Sequence, residues 1–107
     1  MNLIESKKEK LKELCDKHKV KELYLFGSIL TENFNNSSDI DMLVQFCNVN
    51  LSEYLDNYME LKEEMELLFQ RSVDLIENQA IRNPIFRQVI DRQKRLIYER
   101  KNTKMLI

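Results

Sequence analysis

The chain has 107 residues, with 17 basic and 18 acidic side chains, a formal net charge of -1, and 43% hydrophobic and 33% charged residues. That length is one domain's worth, able to bury about 60–70% of its unfolded surface in a core. The balanced charge excludes a general electrostatic pull toward nucleic acid or anionic membrane, and no run approaches the roughly 18 consecutive apolar residues of a transmembrane helix.

The N-terminal stretch Met1 to Lys8 has no apolar signal-peptide core, so a cytoplasmic location is expected. Leu3, Ile4, Leu11, Leu14 and Cys15 recur at helical spacing and predict an amphipathic helix over residues 2–18. Its end carries the only histidine, His18, in a charged run that reads as a solvated helix end. Cys15 and Cys47 form no CxxC pair and are expected reduced and semi-buried. Residues 21–26 predict a short buried strand ending at Gly27, and Ser28 to Leu30 a single helical turn. Residues 32–38 are polar and predict a loop, followed by a strand over Asp39 to Phe46.

Leu51, Tyr54, Leu55, Tyr58, Leu61, Met65, Leu68 and Phe69 follow the three-and-four spacing of a long helix, capped by Asn50 or Ser52. Ser72 to Glu77 predicts a third strand. Asn83-Pro84 is a helix start, with Ile85, Phe86, Val89 and Ile90 as the expected buried face. Leu96 to Tyr98 reads as a last strand or a helix end, and residues 100–107 as a loose tail after a domain spanning 1–99. The order helix-strand-helix-strand-helix-strand-helix makes an α/β (α+β) fold, a small mixed sheet packed with helices.

Chemistry concentrates at three places. The single glycine, where an average chain of this size has about seven, is followed by serine: Gly27-Ser28 closes an apolar run. Asp39 and Asp41 lie two apart on a strand, hence on one face, with Cα atoms about 6.6 Å apart. Asp74 sits in the apolar segment Val73-Asp74-Leu75-Ile76 and joins them if its strand lies beside theirs. At 4 Å a like-charged pair costs about 4 kcal/mol at an effective dielectric near 20, a repulsion that protonation or a divalent cation relieves. Magnesium prefers carboxylate oxygen and keeps positions for substrate phosphates. Gly27 permits positive φ, and the Ser28 amide and hydroxyl can donate to phosphate, helped by any helix N-terminus starting there. Together these groups suit in-line attack on the α-phosphorus of a nucleoside triphosphate, with pyrophosphate leaving.

Gly27-Ser28, the ten-residue gap, Ser38-Asp39-Ile40-Asp41 and the later Val73-Asp74-Leu75-Ile76 resemble the nucleotidyltransferase superfamily of DNA polymerase beta, in its minimal, MNT or MntA-like branch. The resemblance implies that Gly27 and Ser28 bind the triphosphate and that Asp39 and Asp41 ligate two magnesium ions, or manganese. Asp74 is then the third acid, a metal ligand or a base for the incoming hydroxyl. It further implies AMP transfer from ATP to a HEPN-domain toxin partner, the chain acting as antitoxin. Many minimal members carry an arginine and then a glycine shortly after the Gly-Ser; here those places hold Thr31 and Glu32. That departure motivates a second reading, a catalytically inactive antitoxin acting by partner binding. A transferase directed at nucleic acid is disfavoured by the charge, and homo-oligomers are left open.

Overall fold

Strict alternation in the second strand organises the molecule. Ile40, Met42 and Val44 point to one face and are fully buried; Leu43 points to the other and is buried as well. A strand apolar on both sides needs cover on both faces. The computed structural model, which describes residues 2–100, supplies it with helices. The elements are α1 (Asn2–Ser6), α2 (Lys8–Lys17), β1 (Val20–Phe26), a 3₁₀ turn (Gly27–Leu30), β2 (Ile40–Phe46) and α3 (Leu51–Phe69). Then come β3 (Val73–Glu77), a second 3₁₀ turn (Asn78–Ala80), α4 (Pro84–Gln93) and β4 (Arg95–Glu99).

The strands form one mixed sheet in the order β3-β2-β1-β4. β1 runs antiparallel to both β2 and β4, whereas β2 and β3 are parallel, joined by α3 as the crossover. On one face Leu23, Leu25, Met42, Val44 and Leu75 pack with Leu11 and Cys15 of α2 and with Leu61, Met65 and Phe69 of α3. On the other, Phe26 and Leu43 pack with Ile90 of α4. The expected α/β architecture is thus the observed one, with Leu96 to Tyr98 resolved as strand β4.

Five local readings need correction. The predicted first helix divides at Lys7, whose φ of -114° and ψ of 14° leave the helical region; the Ser6 hydroxyl donates to the Leu3 carbonyl at 3.0 Å, a local bond that competes with the helical ladder. His18 is not solvated but 2% exposed. Nε2 lies 2.7 Å from Glu64 Oε2, Nδ1 lies 3.1 Å from Asn57 Oδ1, and the Asn57 amide donates to the His18 carbonyl at 2.7 Å. These bonds lock the end of α2 onto α3. Leu51 and Leu55 are exposed, at 93% and 67%. A 19-residue helix is about 28 Å long and five-residue β3 about 17 Å, so the first turns of α3 overhang the sheet.

In α4, Asn83 caps as expected, its side chain accepting from the Ile85 and Phe86 amides at 2.9 and 3.2 Å. Only Ile90 of its apolar residues is buried; Ile85 is 72% exposed. At 100° per residue, Phe86 and Arg87 lie within about 60° of Ile90 on the arc toward the protein, whereas Val89 lies about 100° and Ile85 about 140° around from Ile90. Arg100, placed at the start of the expected tail, is anchored: its guanidinium donates to the carbonyls of Val20, Cys15 and Asp16. The remainder of that tail, 101–107, lies outside the described residues.

Candidate active site at the end of the central strands

Register brings the acids together. Asp41 is the Cα partner of Asp74 across the parallel β2–β3 pair and of Phe26 across β1–β2. Neighbouring strands lie about 4.8 Å apart, so Asp41 sits between Asp74 on one side and the Phe26-Gly27 corner on the other. Asp39 lies immediately before β2, one residue outside the strand expected to include it, and close enough for its charge to act on Asp41. Asp39 and Asp74 are exposed and Asp41 is half-buried.

The corner itself depends on glycine. Gly27 has φ of +77°, a conformation L side chains rarely adopt. A Cβ built there would lie 2.2 Å from Asp41 Oδ2, 3.1 Å from its Cγ and 3.3 Å from its Cβ. Asp41 Oδ2 therefore occupies the space that a side chain at position 27 would need. After it, Ile29 is buried and roots the turn in the core, while the Thr31 amide and hydroxyl both donate to the Ser28 carbonyl at 2.9 and 2.8 Å. The turn is a four-residue 3₁₀ segment rather than a helix. An anion brought to this turn would meet local amides and the Ser28 hydroxyl rather than a macrodipole.

No hydrogen bond or ion pair reaches the carboxylates of Asp39, Asp41 or Asp74 from any of the described residues; the ion pairs found join Glu64 and Asp91 to their neighbours. Burial pushes the Asp41 carboxyl above the usual carboxylate range, and the negative charges of Asp74 and Asp39 push it further. An uncompensated cluster of oxygen donors fits a hard divalent cation. Among the described residues no three acidic, histidine or cysteine side chains converge into a cage of their own. Magnesium commonly takes one or two carboxylates and completes its shell with water and substrate phosphate.

Two residues that the sequence did not mark as functional hold β3 in place. Glu66 of α3 accepts from the Val73 amide at 2.9 Å, and the Tyr58 hydroxyl donates to the Leu75 carbonyl, on either side of Asp74. A surface cleft lies away from the acids, between α1, α2 and β4, lined by Leu11, Tyr98 and Arg100. The acids stand on open surface at the sheet end. No helix among the described residues is long and apolar enough to cross a membrane.

The chain's likenesses agree with this geometry. A family model described as polymerase beta, nucleotidyltransferase matches residues 9–103. A Methanocaldococcus jannaschii chain named "putative protein adenylyltransferase" is 39% identical over 85 residues, covering 79% of this chain and 82% of that one. A solved structure of a "putative minimal nucleotidyltransferase" superimposes with a TM-score of 0.71 at 25% identity, over 86% of this chain and 90% of that one. The fold is also that of a chain in the complex of a tri-AMPylated Shewanella oneidensis HEPN toxin with an MNT antitoxin, with a TM-score of 0.62, 19% identity, and 95% and 77% of the two chains covered. Matches of this extent make the chain a member of the polymerase beta nucleotidyltransferase family, in its minimal, MntA-like branch.

Proposed function

We propose that this nucleotidyltransferase moves AMP from ATP to a side-chain hydroxyl of a HEPN-domain partner, in the cytoplasm, as the antitoxin of a toxin–antitoxin pair. One observation carries the reading: Asp41 sits between Asp74 and Gly27, its carboxylate against the glycine and without any cationic partner among the described residues. The names borne by its relatives supply the acceptor and the nucleotide.

Gly27 and Ser28 hold the triphosphate. The Ser28 hydroxyl has no hydrogen-bond partner among the described residues and can donate, and the positive φ of Gly27 keeps the corner open to close approach. Asp39, Asp41 and Asp74 are the residues that hold magnesium, two ions in this reading, and manganese suits the same oxygen donors. When bound, the metal neutralises charge on the phosphates and acts as a Lewis acid. The acceptor oxygen forms a bond to the α-phosphorus as the bridging α–β P–O bond breaks, and pyrophosphate departs with that electron pair. The hydroxyl proton passes to the exposed Asp74 carboxylate. The open setting of the acids at the sheet end leaves room for a protein acceptor.

The test is intact-mass spectrometry of a HEPN-domain protein incubated with the wild type, ATP and magnesium. An AMP adduct that disappears with Asp41→Asn is expected. No adduct, on a partner that a control adenylyltransferase does modify, refutes catalysis. A second reading, neutralisation by binding alone, is favoured by Thr31. Its hydroxyl is turned onto the Ser28 carbonyl, where many minimal members carry an arginine. In that case Asp41→Asn still neutralises the partner.

A further inference from the structure

Asp39 precedes β2 and makes no side-chain bond among the described residues, yet the chain on both sides of it is held. After it, the Ile40 amide donates to the Ser72 carbonyl at 3.0 Å. Before it, Arg71 Nη1 donates to the Ser38 carbonyl at 2.9 Å and the Asn35 carbonyl at 3.1 Å, and the guanidinium lies over the Phe34 ring at 4.6 Å. Arg71 reaches there because Gln70 ends α3 in the left-handed conformation, φ 53°, turning the chain toward β3.

We propose that Arg71 is a positioning residue for Asp39: it clamps the 34–38 loop to the start of β3 and so fixes the Asp39 carboxylate relative to Asp41 and Asp74. The proposal rests on the reading of Asp39 as a metal-holding group. Only a planar guanidinium can stack on Phe34 while one nitrogen serves two carbonyls; a lysine ammonium keeps the charge and the donors without the plane.

Arg71→Met separates the clamp from its charge. Removing a cation close to acidic groups would, by Coulomb's law alone, tighten binding of a divalent cation. Loss of the clamp loosens it. The experiment has two arms on Arg71→Met and Arg71→Lys. In the first, amide hydrogen exchange of the free protein is followed by NMR. Loss of protection at Ile40 and shift changes concentrated in residues 34–40 are expected in Arg71→Met, with partial recovery in Arg71→Lys. Unchanged exchange there overturns the clamp, whatever the protein's activity. In the second, manganese is titrated by electron paramagnetic resonance of the free ion. About a tenfold weaker affinity is expected for Arg71→Met, with Arg71→Lys between, and no further loss when Arg71→Met is added to Asp39→Asn. Equal or tighter manganese binding by Arg71→Met overturns the proposal. A wild type that binds no manganese overturns the metal reading, and the first arm still decides the clamp.

Discussion

Gly27→Ala separates what glycine does for the backbone from what it does for the acids. The alanine must adopt φ near +77°, which costs about 1–2 kcal/mol for an L residue. Part of this is offset by the smaller entropy of the unfolded chain, about 0.4–1 kcal/mol. The added methyl also meets Asp41 Oδ2 at 2.2 Å, and contacts below 3.0 Å do not persist, so that oxygen must retreat by about 0.8 Å or more. The obstacle is the end of a flexible side chain, so the retreat adds little to the stability loss. A net destabilisation of about 1 kcal/mol corresponds to a fall in melting temperature of about 4–8 °C for a domain near this size. The functional effect is far larger: a displacement near 1 Å typically costs about 10²-fold in rate. Thermal unfolding and AMP transfer, or calorimetric binding of ATP with magnesium, read the two effects separately. Adding Gly27→Ala to Asp41→Ala isolates the backbone cost, because the clash has then gone. Transfer within a few-fold of wild type at an unchanged melting temperature would refute the reasoning.

Asp41→Asn is expected to abolish magnesium-dependent ATP binding and yet raise the melting temperature at neutral pH. The folded-state pKa of Asp41 lies above its ordinary value through burial and the charges of Asp74 and Asp39. The stability tied to its protonated form is fully present below the unfolded pKa and is lost as pH rises through the folded one. The variant's advantage should therefore vanish on acidification, and an equal advantage at all pH values would sink this account. Glu64 has the opposite sign: hydrogen bonds from Lys17 and His18 lower its pKa, so its contribution is present above the unfolded pKa and is lost as pH falls through the folded one. Glu64→Gln should flatten the acid limb of a stability-against-pH curve, and a parallel curve would show that the clasp contributes nothing. Burial pushes the Cys15 thiol up to about 12, so a thiol reagent at pH 8 should label Cys47 but not Cys15 in the native protein and both after denaturation. Rapid native labelling of Cys15 would contradict its burial.

The element pattern was largely readable because periodicity reports burial. β2 reads as an apolar run with three consecutive buried residues, Met42 to Val44, and α3 shows its three-and-four spacing. The expectations that failed lie where a residue's surroundings come from distant chain. His18, in a run of charges, is buried because Asn57 and Glu64 arrive from α3 to satisfy both ring nitrogens. Ile85 and Val89 look like a buried face, but α4 rests on the sheet through buried Ile90 and through Phe86, edge-on to Phe26. For the candidate site, Gly27-Ser28 and the Asp39-x-Asp41 spacing could be read locally, whereas Arg71 and Glu66 bear no mark distinguishing them from surface charges.

From sequence alone follow the two-residue spacing of Asp39 and Asp41 at the head of an apolar strand, and the lone glycine that marks where the backbone needs a positive φ. These are properties of neighbouring residues and of their φ/ψ preferences. The tertiary structure alone decides that Asp74 stands beside Asp41, because the parallel β2–β3 register is created by a crossover helix 19 residues long. It alone decides that the Asp41 carboxylate occupies the space a glycine leaves vacant, since that contact joins strands paired antiparallel across the sheet. Packing between strands distant in sequence sets both distances, and no local preference encodes either one.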